Sequence, residues 1–237
     1  MTIDQIQEKL DKVEKDSTLQ NLIAQANARY ILYNTSESID NFPNYTIKDE
    51  KLNLLAFHYL SLGCRFIENE HIKDGVFPLE KGASILENVH GSPEVKTKLG
   101  NYYGLISALS YYVCFQYSKS FILIKKIEND TLISKIVSLF LGRNYHQLLE
   151  IINDMMVDKI YLDEILSKNE DELESSKYIY EITIAKSLNN FIKYFYTGDK
   201  HLLELAKSNL KSLKEIAEIK NEPDIWWVIR LLIIITD

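Results

Sequence analysis

Residues 199–216 read Asp199-Lys200-His201-Leu202-Leu203-Glu204-Leu205-Ala206-Lys207-Ser208-Asn209-Leu210-Lys211-Ser212-Leu213-Lys214-Glu215-Ile216. After Glu222-Pro223-Asp224 the chain continues Ile225-Trp226-Trp227-Val228-Ile229-Arg230-Leu231-Leu232-Ile233-Ile234-Ile235. Leu203, Leu210, Leu213 and Ile216 fall on one side of a helix, and Lys207, Lys211 and Lys214 on another. Gly198 separates this helix from the one before it. Pro223, whose missing N–H costs nothing in a first helical turn, opens the one after it. Helix, short break, helix: the same grammar extends through most of the chain.

Working outward, helical periodicity appears at 3–14, 17–36, 50–71 and from Gly75 to about His90. Gly91-Ser92-Pro93 stops and restarts the chain, and a long helix is expected from Pro93 to about Asn129. Its middle carries Tyr102, Tyr103, Tyr111, Tyr112, Phe115, Tyr117 and Phe121. A helix apolar almost all round belongs at the centre of a helical domain. Asp130 is the expected cap of the next helix. Further helices are expected to about Val157, then at about 173–197, 199–219 and 223–236. The count comes to ten or eleven, with no strand. Residues 37–49, around Phe42-Pro43-Asn44, read as a loop, which divides an N-terminal helical arm over 1–40 from a helical-repeat-like domain over 41–237.

Composition agrees. The 237 residues include only 8 Gly and 4 Pro, and 46% are hydrophobic. That is under half of the roughly 12% average share of those two breakers, too few turns for a sandwich or barrel. The net charge of −7 argues against direct nucleic-acid binding through the bulk surface. No basic-then-apolar leader opens the chain, and the most apolar run, Trp226 to Ile235, holds Arg230 and is half the roughly 20 residues a membrane span needs. Cys64 and Cys114 read as buried, reduced thiols of a cytoplasmic protein.

Three places share a glycine followed three residues later by an aromatic ring: Leu62-Gly63-Cys64-Arg65-Phe66, Leu141-Gly142-Arg143-Asn144-Tyr145, and Thr197-Gly198-Asp199-Lys200-His201. Each has a helix–glycine–helix shape, although the first site continues helical without an obvious turn. The pattern is similar to the Leu-Gly-x-x-Tyr core of tetratricopeptide repeats, although Asp154 stands where that family has a small residue and no 34-residue period exists. The expected fold is therefore all-α, an irregular α-hairpin stack of degenerate TPR-like solenoid type.

Signals for catalysis are weak. Glu68–His71 and Glu87–His90 are Glu-x-x-His pairs, but each ends its helix and the two helices are consecutive. In an antiparallel pair they stand some 20 Å apart, too far to share a metal centre. No phosphate-cradling loop, dinucleotide fingerprint or nucleophile elbow is present. The acidic stretch Asp154 to Glu174 lacks the glycine and spacing of a calcium loop. The chain is expected to be non-enzymatic, with no cofactor and no metal. A pocket lined by His58, Tyr59 and the Tyr102–Tyr112 aromatics is the enzyme alternative.

The combination of Ala56-Phe57-His58-Tyr59-Leu60-Ser61-Leu62-Gly63, Ala83 to Leu86, and Pro223-Asp224-Ile225-Trp226-Trp227-Val228-Ile229-Arg230-Leu231-Leu232 resembles the helical N-terminal region of large bacterial superfamily 2 DEAD/DEAH-box helicases of phage-defence loci. The resemblance implies an accessory, protein-interacting module of a defence machine. The chain itself carries no motor motif. Binding is expected on the concave side of the stack and on the C-terminal helix, to a protein partner or to a second copy. Trp226, Trp227 and Arg230, residue types common at binding hot spots, and the stripe of Lys207, Lys211 and Lys214 are the expected contacts.

Overall fold

A computed structural model of the chain describes residues 4–6, 8, 11, 46–90, 98–127, 131–154 and 172–237. Among the described residues the secondary structure is α-helical, with no strand. The described helices are α1 (Thr46–Glu68), α2 (Ile72–His90), α3 (Lys98–Val113), α4 (Tyr117–Lys126), α5 (Leu132–Leu141), α6 (145–154), α7 (Glu172–Thr197), α8 (Lys200–Ile219) and α9 (Pro223–Thr236). The chain divides into two compact units, Met1–Lys125 and Lys126–Asp237. Apart from residues 4–6, 8 and 11, the 1–40 arm lies outside the described residues, as do the Gly91-Ser92-Pro93 break and nearly all of the acidic stretch.

In the first unit α1 and α2 pack along each other and α2 packs on α3. The α1–α2 pair is antiparallel and close because three glycines remove side chains from the seam. A Cβ on Gly63 would lie 2.7 Å from the Leu79 backbone nitrogen and 2.8 Å from the Gly75 carbonyl; one on Gly82 would lie 2.8 Å from the Ala56 carbonyl. Gly63 is thus an interior residue of α1 and a contact point, in keeping with the unbroken helix expected over 50–71. The corner comes later, at Glu70. Gly75 and Pro78 likewise lie within α2 instead of opening it. Leu55, Leu60, Leu79, Leu86, Leu105, Ile106 and Leu109 fill the centre with no exposure. Ser107 donates to the Ala83 carbonyl at 3.1 Å, so its buried hydroxyl is paired across the α2–α3 contact.

The long helix expected over 93–129 is two helices. α3 stops at Val113 because Phe115 takes a left-handed backbone, φ 60°. Phe115 N–H donates to the Tyr112 carbonyl and Gln116 N–H to the Tyr111 carbonyl, at 3.0 and 2.9 Å. This pair of bonds satisfies the last carbonyls of a helix and turns the chain away from it. The same pair recurs with Glu70 and His71 after α1, Arg143 and Asn144 after α5, and Asn221 and Glu222 after α8. At all four corners the left-handed residue is not glycine; only Gly198, after α7, supplies the residue type the position favours. At Leu141-Gly142-Arg143 the corner is where the motif placed it, yet Gly142 is right-handed (φ −74°) and Arg143 carries the turn.

In the second unit α7 packs on α5 and α8, and α8 packs on α9. α5 is capped by Thr131, whose hydroxyl accepts from Ser134 N–H at 3.1 Å, and not by Asp130. α8 is capped by Asp199, which accepts from His201 N–H at 2.9 Å, and α9 starts on Pro223. Ala206, Leu210, Leu213 and Ala217 of α8 are buried at helical spacing. Val228, Ile229, Leu231 and Leu232 of α9 are fully enclosed.

Candidate functional site

α9 is the most apolar described helix after α5, and an isolated helix of that kind needs cover on all sides. In the fold it packs on α8, and Val228 to Ile233 and Thr236 are buried. Arg230 is only 5% exposed, and its guanidinium carbon stands 5.2 Å from the Trp226 ring centre and 5.3 Å from that of Trp227. The two indoles meet edge to face, 5.1 Å apart at 88°. A planar cation held by two π-faces is well placed energetically where water is scarce. Trp226 and Trp227 themselves are half-buried.

The lysines of the expected contact set do not form one free stripe. Lys207 Nζ lies 3.2 Å from the Asp237 carboxylate, which ties α8 to the end of α9. Lys214 is half-buried, with Nζ 5.7 Å from the Trp226 ring centre. Lys211 is exposed. The structure thus gathers Arg230, Lys214, Trp226 and Trp227 at the start of α9, places Lys207 at its end, and leaves Lys211 pointing to solvent. A polar island sits beside this cluster. The Tyr180 hydroxyl donates to the Glu222 carboxylate, and Trp226 Nε1 is enclosed without a hydrogen-bond partner. Burial and then the Glu222 carboxylate push the Tyr180 phenol well above its ordinary range, and burial raises the Asp224 carboxyl.

The residues of the alternative pocket in the first unit serve packing. Tyr59 and Tyr111 are buried; Lys81 donates to the Tyr59 hydroxyl, and the Tyr111 hydroxyl donates to Glu87 at 2.9 Å. Glu87 is the acid of one Glu-x-x-His pair, so it has a structural bond to hold. His71 of the other pair follows α1, 3.8 Å from Asp74. Among the described residues no group of three or more His, Cys, Asp or Glu converges as a metal site. Cys114 is buried beneath α2, its thiol 3.5 Å from the Val76 carbonyl. Burial, then Glu80 and Cys64, push that thiol up to about 12.

An apolar surface lies where the sequence placed core. Phe115, Tyr117, Phe121 and Ile122 are exposed on α4 and the corner before it, and Phe77 is exposed on α2. The expectation of one aromatic helix at the centre of the domain fails here, because the corner at Phe115 turns α4 out of the α3 line. The available signal was polar: Gln116, Ser118, Lys119 and Ser120 interrupt the apolar run before it resumes at Phe121.

No family model matches the chain. The chain is similar to the Hachiman protein HamB of Bacillus cereus, 38% identical over 229 residues, which cover 95% of this chain and 20% of that protein. The chain therefore spans about a fifth of the length of the curated relative it matches. Among the described residues no helix is long and apolar enough to cross a membrane.

Proposed function

We propose that the chain is a non-catalytic helical interaction module of a phage-defence machine, and that it serves a DEAD/DEAH-box motor. One observation carries the reading. A sequence of 237 residues aligns over 95% of its length with one fifth of a much larger protein, and that relative acts in phage defence. A segment of that proportion, all-helical where described, is suited to holding other parts together. The buried Tyr59, Tyr111 and Cys114 of the first unit are engaged in hydrogen bonds, which supports a binding role over chemistry. The partner in this reading is a protein, in keeping with the net charge of −7.

The test is phage plating in cells that carry the complete defence locus, with residues 46–237 removed in frame from an otherwise intact machine. Plaque counts are expected to rise to the level of undefended cells, while nucleotide hydrolysis by the motor persists. Full protection without these residues, or turnover of nucleotide by the purified chain alone, contradicts the reading. A second reading, a stand-alone homodimer built on α9, draws on the half-buried Trp226–Trp227 pair at the start of that helix.

A further inference from the structure

We propose that the outer face of α4, with Phe77 of α2 beside it, is the docking surface for an acidic, apolar-faced segment of a partner protein. The proposal rests on the interaction-module reading and names the surface and the chemistry of its occupant. Phe77 is 71% exposed, Phe115 64% and Ile122 55%; Tyr117 and Phe121 are exposed as well. Single exposed apolar side chains are ordinary, but a contiguous group of this size marks a site of association.

Two bonds tie α2 to the corner at Cys114 and to α4. The Cys114 thiol lies 3.5 Å from the Val76 carbonyl, and Lys119 Nζ lies 3.1 Å from Glu80. Phe77 stands one turn from Glu80 on α2, and Phe115 lies two residues before α4, the helix that carries Lys119. The left-handed backbone at Phe115 sharpens the point. A bulky residue at φ 60° is strained, and it holds a ring largely out to solvent where glycine would relieve that strain.

Charge selects the occupant. α4 carries three lysines and no acidic residue. Lys119 is engaged by Glu80, while the ammonium of Lys125 rests 4.3 Å above the Phe121 ring, at the edge of the apolar face. A partner that covers Phe121 also covers this cation, and a carboxylate brought with it compensates the lost water. Single-stranded nucleic acid also uses lysines and aromatics, but it needs open ring faces on which bases stack. Here Tyr117 meets Tyr112 and Phe115 edge to face, at 67° and 87°, and Phe121 is capped by Lys125. The surface is built for side chains packing from above, as a helix in a shallow seat does.

The experiment places benzoylphenylalanine at position 122, in place of Ile122, in the intact protein within cells that carry the whole defence locus. After irradiation, the linked peptide is sequenced by mass spectrometry. The expected adduct is a protein segment with net negative charge and an apolar face. Its yield should fall at least tenfold with Phe115→Ser and Phe121→Ser together, and severalfold with Lys125→Glu, a surface change that leaves the core untouched. An adduct to nucleic acid, an adduct to a second copy of this chain, no adduct, or a yield indifferent to Lys125→Glu overturns the proposal. Failure here with protection still dependent on residues 46–237 removes only this surface. Protection independent of those residues removes the functional reading itself.

Discussion

Four residues, Glu70, Phe115, Arg143 and Asn221, hold the left-handed backbone that glycine favours, and each closes a helix with the same two bonds. The strain is local and testable. Arg143 is exposed, so Arg143→Gly removes little packing and about 1 kcal/mol of backbone strain. The unfolding free energy from urea titration should rise by that amount; a fall shows that the side chain matters more than the backbone. At Phe115 the same strain was invisible in the sequence, because nothing in Cys114-Phe115-Gln116 is a turn former. Cys114 gives a second residue-scale expectation. Its folded thiol titrates near 12 against an ordinary 9.0, so the neutral form is the one the fold accommodates. The associated stability is complete below pH 9 and is lost as pH rises toward 12. At pH 8 the folded protein should hold roughly a thousandfold less thiolate there than a free thiol does. Iodoacetamide should therefore label this position only on unfolding; prompt labelling of the native chain contradicts the burial.

At the scale of elements, the helices from α7 to α9 were legible almost to the residue. Gly198-Asp199 and Glu222-Pro223 are strong punctuation, and capping chemistry acts over three or four residues that lie together in the sequence. The α3–α4 division was not legible, since its stop signal is a hydrogen-bond pattern compatible with any side chain. The role of Gly63 was not legible either: a glycine inside a helix can mark a close contact, and only the neighbouring helix shows it. Gly63→Ala should push α1 and α2 apart, because the new methyl meets Leu79 and Gly75 backbone atoms that cannot rotate away. A loss of about 1–3 kcal/mol is expected from chemical denaturation. An unchanged midpoint means that the seam is looser than the 2.7 Å approach requires.

For the whole molecule, the all-α class followed from composition and periodicity, whereas the division of apolar surface between inside and outside did not. The sequence left open whether α9 is threaded into the core or docks on a partner, because it is apolar on every side. In the fold, Val228 to Ile233 are buried, and the large exposed rings are on α2, α4 and the end of α7. Which of two apolar helices is covered depends on contacts between distant residues, and hydropathy alone does not rank them. It follows that the purified chain should run as a monomer in light scattering across a concentration series. A dimer dispersed by Trp226→Ser would restore α9 as an interface and favour the self-associating reading.

The central claim is that this module works by docking through an exposed apolar face, with no chemistry of its own. Phage plating with Phe121→Ser and Ile122→Ser in the intact machine tests it most directly. Both side chains are exposed, so the fold should retain its thermal midpoint. The account predicts plaque counts that approach those of undefended cells with protein levels unchanged. Full protection by that double variant, at normal abundance, would contradict it.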